Sequence, residues 1–124
     1  MNTANPKIKS MSPLFLVADL EISLDFYIQK LGFEIDFTYE DFYAGIAKDG
    51  YSIHLKSGKA AIEERVNRRN NEHIDITFSV EGIDELFETI KSLLVIVVQP
   101  LREMPYGREF YIADPDGYIL SFLE

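Results

Sequence analysis

The chain is 124 residues long, enough for one domain with a core of its own. It has no cysteine, which excludes disulfides, zinc–thiolate sites and a cysteine nucleophile. A formal net charge of -9 and a pI near 4.6 argue against a nucleic-acid partner held by neutralised phosphates, and suit either a cationic small molecule or simple solubility.

The opening segment MNTANPKIKS is polar and lacks the apolar stretch of a secretory signal, so a cytoplasmic location is expected. Leu14 to Val17 reads as a short buried strand leading into an amphipathic helix, with Leu20, Leu24, Tyr27 and Leu31 at helical spacing. Asp19 is placed to cap that helix, and Gly32 to end it in a left-handed conformation. Strands are predicted at Phe33 to Tyr39, Phe42 to Ala47 and Tyr51 to Leu55, with a turn at Lys48-Asp49-Gly50. The charged stretch Ser57 to Asn71 bridges to a second half, its Arg65, Arg68 and Arg69 reading as a solvated face.

The second half repeats the order: a strand at Ile74 to Val80, then a helix with Ile83, Leu86, Phe87 and Ile90 at helical spacing and Gly82 as its cap. Strands follow at Val95 to Pro100, Arg108 to Ala113 and Tyr118 to Leu123, with a turn at Asp114-Pro115-Asp116-Gly117. The longest apolar run, Leu93 to Val98, is far too short to span a bilayer, so no membrane partner is expected. A shift of 63 residues lays Phe15-Leu16-Val17 on Phe78-Ser79-Val80, and a shift of 67 lays Asp49-Gly50-Tyr51 on Asp116-Gly117-Tyr118. The widening implies an insertion around Arg102 to Gly107, where Met104 to Gly107 is either a lid or an ordinary hairpin connection. One domain, residues 1–124, therefore divides into module one (about 12–56), a linker (about 57–71) and module two (about 72–124).

Strand alternation sets Ile74, Ile76, Phe78 and Val80 under the helices, and His73, Asp75, Thr77 and Ser79 on the opposite face. Tyr51, Ile53 and Leu55 likewise oppose Ser52 and His54, and Tyr118, Leu120 and Phe122 oppose Ile119, Ser121 and Leu123. The repeat pairs Ser12 with Asp75 and His54 with Ser121, and pseudo-twofold symmetry would gather these four at the centre of a cup. Asp75 needs a partner there, and His54 is the expected one. Glu109 and Tyr111 share a face and are expected to line the cup, as Tyr43 does from the matching strand, while Arg108 either holds an acidic group of the ligand or pairs with one of the many carboxylates. No Gly-rich phosphate loop or serine-nucleophile motif is present.

Three segments, Val17 to Tyr27 with Lys30 to Phe33, Ile76 to Ile90, and Arg108 to Tyr118, resemble the vicinal oxygen chelate superfamily. It includes glyoxalase I, extradiol dioxygenases, and fosfomycin and bleomycin resistance proteins. The repeat and the resemblance together imply an α+β fold, with two tandem βαβββ modules forming a curved, partly closed eight-stranded sheet around a cup, helices outside. Metal-using members place their ligands at positions that fall here on Ser12, His54, Asp75 and Ser121, of which only His54 and Asp75 are good donors. His73 could join them only with distortion. The resemblance therefore implies the metal-free, bleomycin-resistance-like branch: a homodimer that sequesters a small molecule, using His54, Asp75, Ser12, Ser121, Tyr43, Arg108, Glu109 and Tyr111, with no cofactor. The alternative is a metal-dependent lyase, isomerase or dioxygenase with an atypical His54/Asp75 site, and a third reading is a partner-binding module.

Overall fold

The computed structural model describes residues 3–58 and 73–124. Strand β1 (Leu14–Val17) leads into helix α1 (Leu20–Asp25). Asp19 is extended and its carboxylate accepts from the Ile22 N–H at 3.1 Å, the cap expected from sequence. Beyond Asp25 the helix widens into a π-helical turn, Phe26–Lys30, that buries Phe26 and Tyr27. Gly32, at φ 76°, ends it. Strands β2 (Glu34–Tyr39), β3 (Tyr43–Lys48) and β4 (Tyr51–Ser57) form an antiparallel meander, and β1 adds parallel to β4, giving the order β1-β4-β3-β2.

The second half has β5 (Ile74–Ser79), α2 (Ile83–Ser92), β6 (Ile96–Met104), β7 (Gly107–Ala113) and β8 (Ile119–Leu123), in the matching order β5-β8-β7-β6. The eight strands thus make two four-stranded sheets and not the one continuous, partly closed sheet expected from the repeat. Gly82 has no side chain to cap α2, and the distant Glu124 carboxylate accepts from the Gly82 and Ile83 N–H groups at 3.2 and 3.0 Å. The second helix stops without a glycine: Leu93 turns extended at φ -107°. The insertion read from the repeat is absorbed into a longer β6, which takes two register shifts before Met104 pairs with Gly107. Met104 to Gly107 is therefore a tight hairpin connection.

The helix-side faces of both sheets feed one core. Phe15, Val17, Ile46, Ile53 and Leu55 share it with Ile83, Phe87, Phe110, Leu120 and Phe122. Tyr51, expected beside Ile53 and Leu55, is instead 79% exposed, since it opens β4 opposite Lys48 at the hairpin end. The predicted strand faces hold for Ile76 and Phe78 but not for Ile74. A bulge at Asp75 turns Ile74 to the opposite face, where it packs with Tyr111, Ala113, Ile119 and Val98 as a second, smaller cluster.

What joins the halves is the turn Asp114-Pro115-Asp116-Gly117. Asp114 Oδ1 accepts from the N–H groups of Asp116 and Tyr118, both at 2.9 Å, and its Oδ2 accepts from the Tyr27 hydroxyl at 2.7 Å. Asp116 accepts from the Ala18 N–H at 2.8 Å and from the Ser23 hydroxyl at 3.2 Å. Tyr118 stacks on Phe15 at 4.4 Å, its hydroxyl bonded to both the N–H and the carbonyl of Leu16. Burial raises the Asp114 carboxyl to about 6, against the pull of its three donors, with the neighbouring Asp116 charge adding to the rise. Among the described residues no helix is long and apolar enough to cross a membrane. Arg65, Arg68 and Arg69 lie outside the described residues.

Candidate functional site

On sheet one the face away from the helices is aromatic. Cross-strand register places Phe37, Gly45 and His54 in one row, with Tyr39 and Tyr43 in the next. The Tyr43 hydroxyl lies 2.8 Å from His54 Nδ1, which holds the imidazole in one orientation. Phe37 meets the His54 ring edge-on at 5.3 Å and lies 6.0 Å from the Tyr43 ring, nearly parallel to it. Leu14, paired with His54, and Leu16 extend this face, which stays open: Leu14, Leu16, Phe37 and Tyr39 are 49%, 43%, 40% and 62% exposed. Ser12 sits at its border, its hydroxyl bonded to that of Ser52.

The corresponding face of sheet two is polar and largely filled. Glu109 is buried, and four donor atoms converge on it: Arg102 Nε at 2.9 Å and Nη2 at 2.7 Å, and the hydroxyls of Tyr106 at 2.5 Å and Tyr111 at 2.9 Å. The Arg102 guanidinium also lies over the Tyr111 ring, 5.4 Å from its centroid. Burial works to raise the Glu109 carboxyl, but hydrogen bonds from Tyr106, Arg102 and Tyr111 outweigh it and hold it below its ordinary value. The same bond lifts the Tyr106 hydroxyl to about 12. Ser121 is buried between Thr77 and Tyr111 in the register.

The structure therefore brings together Tyr43 with His54, and Glu109 with Tyr111 and Ser121, each group within its own sheet. Asp75, expected across a cup from His54, directs Oδ2 to the Ile119 N–H at 2.8 Å and Oδ1 towards His73 Nε2 at 3.7 Å. Its carboxylate thus bonds β8 at the point where the β5–β8 ladder shifts register. Arg108 points to helix α2, pairing with Asp84 at 2.6 Å. Sequence reasoning did not single out Phe37, Gly45, Arg102 or Tyr106. The one available signal was a glycine in the middle of a predicted strand, which marks close approach. A depression of about 370 Å³ lined by Gly32, Glu34 and the β3–β4 turn contains none of the predicted site residues.

The residues at the positions of the resembling metal ligands do not fit a divalent ion. Ser12 and Ser121 are weak donors, Asp75 is engaged by backbone, and among the described residues no three His, Asp or Glu side chains cluster to hold a metal.

Comparison with known proteins places the chain. Residues 10–122 match the family model described as Glyoxalase/Bleomycin resistance protein/Dioxygenase superfamily. Bleomycin resistance proteins from Geobacillus stearothermophilus and Staphylococcus aureus are each 31% identical, over 90% of this chain and 93% of theirs. Among solved structures, the bleomycin-binding protein of Streptomyces verticillus complexed with copper(II)-bleomycin superposes with a TM-score of 0.72 at 22% identity, covering 96% of this chain and 98% of that one. A mutant of the fosfomycin resistance protein FosX from Listeria monocytogenes, complexed with Mn(II) and a dihydroxypropylphosphonic acid, gives 0.73 at 23% identity, covering 94% and 90%. This chain belongs to the glyoxalase/bleomycin resistance protein/dioxygenase superfamily.

Proposed function

We propose that the chain is a small-molecule binding protein that sequesters a bleomycin-like ligand in the cytoplasm without a protein-bound metal and without chemical turnover. The observation that carries this reading is the state of the His54 and Asp75 side chains. His54 is set by Tyr43 within an aromatic face, and Asp75 is spent on backbone, so the pair offers a binding surface and not a metal cage. The FosX neighbour suggests the metal-dependent alternative, which this donor set does not support. The identity of the relatives favours bleomycin as the first ligand to test.

In the same reading the working unit is a homodimer, with sheet one of each chain facing sheet two of its copy across a curved cup. The exposed aromatic and aliphatic face of sheet one is the surface that a second copy would cover, and symmetric pairing is the commonest arrangement for such a chain. Each cup would have an aromatic wall from one chain and a polar wall, carrying Glu109, Tyr111 and Ser121, from the other. Because Arg102 already matches the Glu109 charge, preference for a cationic ligand rests on the overall charge of -9.

Calorimetric titration with bleomycin, with the sample recovered for mass spectrometry, tests the proposal. The expected outcome is one saturable site per chain, a dimer by sedimentation, unaltered ligand afterwards, and affinity about tenfold weaker in His54→Ala from loss of one buried contact group. Absence of saturable binding, or a chemically altered ligand, would overturn it.

A further inference from the structure

The sequence holds two Asp-Gly pairs, Asp49-Gly50 and Asp116-Gly117, at equivalent places in the internal repeat, and the fold treats them oppositely. Asp49 and Gly50 are the two loop residues of the β3–β4 hairpin, between the paired Lys48 and Tyr51. Both take positive φ, 53° and 86°, which for Asp49 is a backbone conformation that residues other than glycine rarely adopt. The Asp49 side chain is 80% exposed and meets Lys48 Nζ at 3.8 Å, a long surface contact. Among the described residues nothing lies within 4 Å of where a Cβ on Gly50 would stand, so the Gly50 amide is open on that side. Asp116, by contrast, is 2% exposed, and its carboxylate is bonded to the Ala18 N–H and the Ser23 hydroxyl. The Gly117 N–H is committed as well, donating to the Asp114 carbonyl at 3.0 Å.

We propose that Asp49-Gly50 is a site of spontaneous covalent modification in the folded protein, passing through a succinimide to isoaspartate, and that the docking of the two halves protects Asp116-Gly117 from the same reaction. The Gly50 amide nitrogen attacks Asp49 Cγ. The N–Cγ bond forms, one Cγ–O bond breaks, and the carboxyl oxygen leaves as water with the amide and carboxyl protons. Water then opens the ring at either carbonyl carbon. Breaking the N–Cγ bond restores aspartate; breaking the bond from that nitrogen to the Asp49 backbone carbonyl carbon leaves the chain running through Cγ. The isoaspartyl form has the same composition and one more carbon in its backbone. A two-residue loop matches the twist of its strands only with an ordinary backbone, so the extra carbon loosens the Lys48–Tyr51 pair. At Asp116 ring closure must first break the bonds to Ala18 and Ser23 that join the halves, so it waits on opening of the core.

The test incubates the full chain in warm, mildly acidic heavy-oxygen water, then maps it by mass spectrometry after cleavage with Asp-N, which does not cut at isoaspartate. In the folded protein, heavy oxygen and resistance to cleavage are expected at Asp49 at least about tenfold faster than at Asp116. In urea the two rates are expected to converge, since the same dipeptide then reacts without the fold. Asp49→Asn keeps a loop pair suited to positive φ and is expected to react faster, releasing ammonia and giving aspartate and isoaspartate at that position while Asp116 stays unlabelled. The isoaspartyl fraction is expected to show changed NMR signals at Lys48 and Tyr51. Equal labelling of Asp49 and Asp116 in the folded protein would overturn the proposal, because the docked halves would then give no protection. Label at Asp49 in urea alone would overturn it too, because the hairpin would then hold the carboxyl away from the Gly50 nitrogen.

Discussion

Asp114→Asn is expected to gain stability relative to wild type as pH rises from about 4 to about 6, by about 3 kcal/mol over that interval, and to run parallel to it above. In the folded chain the Asp114 carboxyl titrates near 6, above its ordinary value of 3.8. A raised acid means that the folded state holds its proton more tightly than the unfolded state does. The group's contribution is therefore fully present below the ordinary value and is lost as pH rises through about 6. Asparagine keeps the oxygen that accepts from Asp116 and Tyr118, and its amide can donate to Tyr27, whose hydroxyl then reverses its role. Asp114→Ala deletes all three bonds in a buried site and is expected to cost about 3 kcal/mol below pH 4, where wild type carries no burial penalty on the charge. Chemical denaturation of the three proteins at several pH values measures both effects. A pH-independent gap between wild type and Asp114→Asn would show that burial does not shift the carboxyl from its ordinary value.

Glu109→Gln is expected to destabilise the protein by about 2 kcal/mol at neutral pH, among the largest effects of any isosteric change here. The amide has one acceptor oxygen in place of two, and its NH₂ faces donors: Arg102, Tyr106 and Tyr111 all point hydrogens at this carboxylate. Arg102 is partly exposed and recovers some hydration, which keeps the figure below that of a sealed ion pair. Glu109 has a depressed pKa, so its contribution is present above the ordinary carboxylate value of 4.5 and disappears as pH falls through the lower folded value. Glu109→Gln is insensitive to that fall. A second readout is optical. Tyr106 ionises near 12 because it donates to Glu109, so the variant is expected to show one further tyrosine titrating near its ordinary value of 10. An unchanged tyrosinate titration would mean that Tyr106 does not rest on Glu109 in solution.

Much of the fold is legible in local patterns. Hydrophobic spacing marks both helices, alternation marks the strands, and Asp19 and Gly32 act at the helix ends as their chemistry suggests. The misreadings share one cause, which is that contacts distant in sequence decide the local outcome. Gly82 is the N-cap of α2 as the sequence suggests, yet the carboxylate that accepts its N–H comes from Glu124, a residue 42 positions away. The Asp75 bulge inverts Ile74, since a single extra residue flips the face of everything before it. Arg102 meets Glu109 across a β6–β7 pairing that takes two register shifts.

The candidate site is harder to read for a related reason. Pseudo-symmetry pairs Ser12 with Asp75 and His54 with Ser121, but it does not say whether one chain or two supply a shared cavity. The docking of Asp114, Asp116 and Tyr118 on β1, α1 and the π-helical turn, which turns the helix-side faces into one core, likewise rests on contacts distant in sequence that no local pattern carries.

Elemental analysis combined with bleomycin titration tests the central claim most directly, on protein purified without chelator or metal-affinity resin and then challenged with zinc, nickel, manganese and ferrous iron. The expected result is no stoichiometric metal retained by the protein under any challenge, with bleomycin binding equally before and after chelator treatment. Stoichiometric metal that is retained by wild type and lost in His54→Ala would contradict the account and favour the metal-dependent alternative.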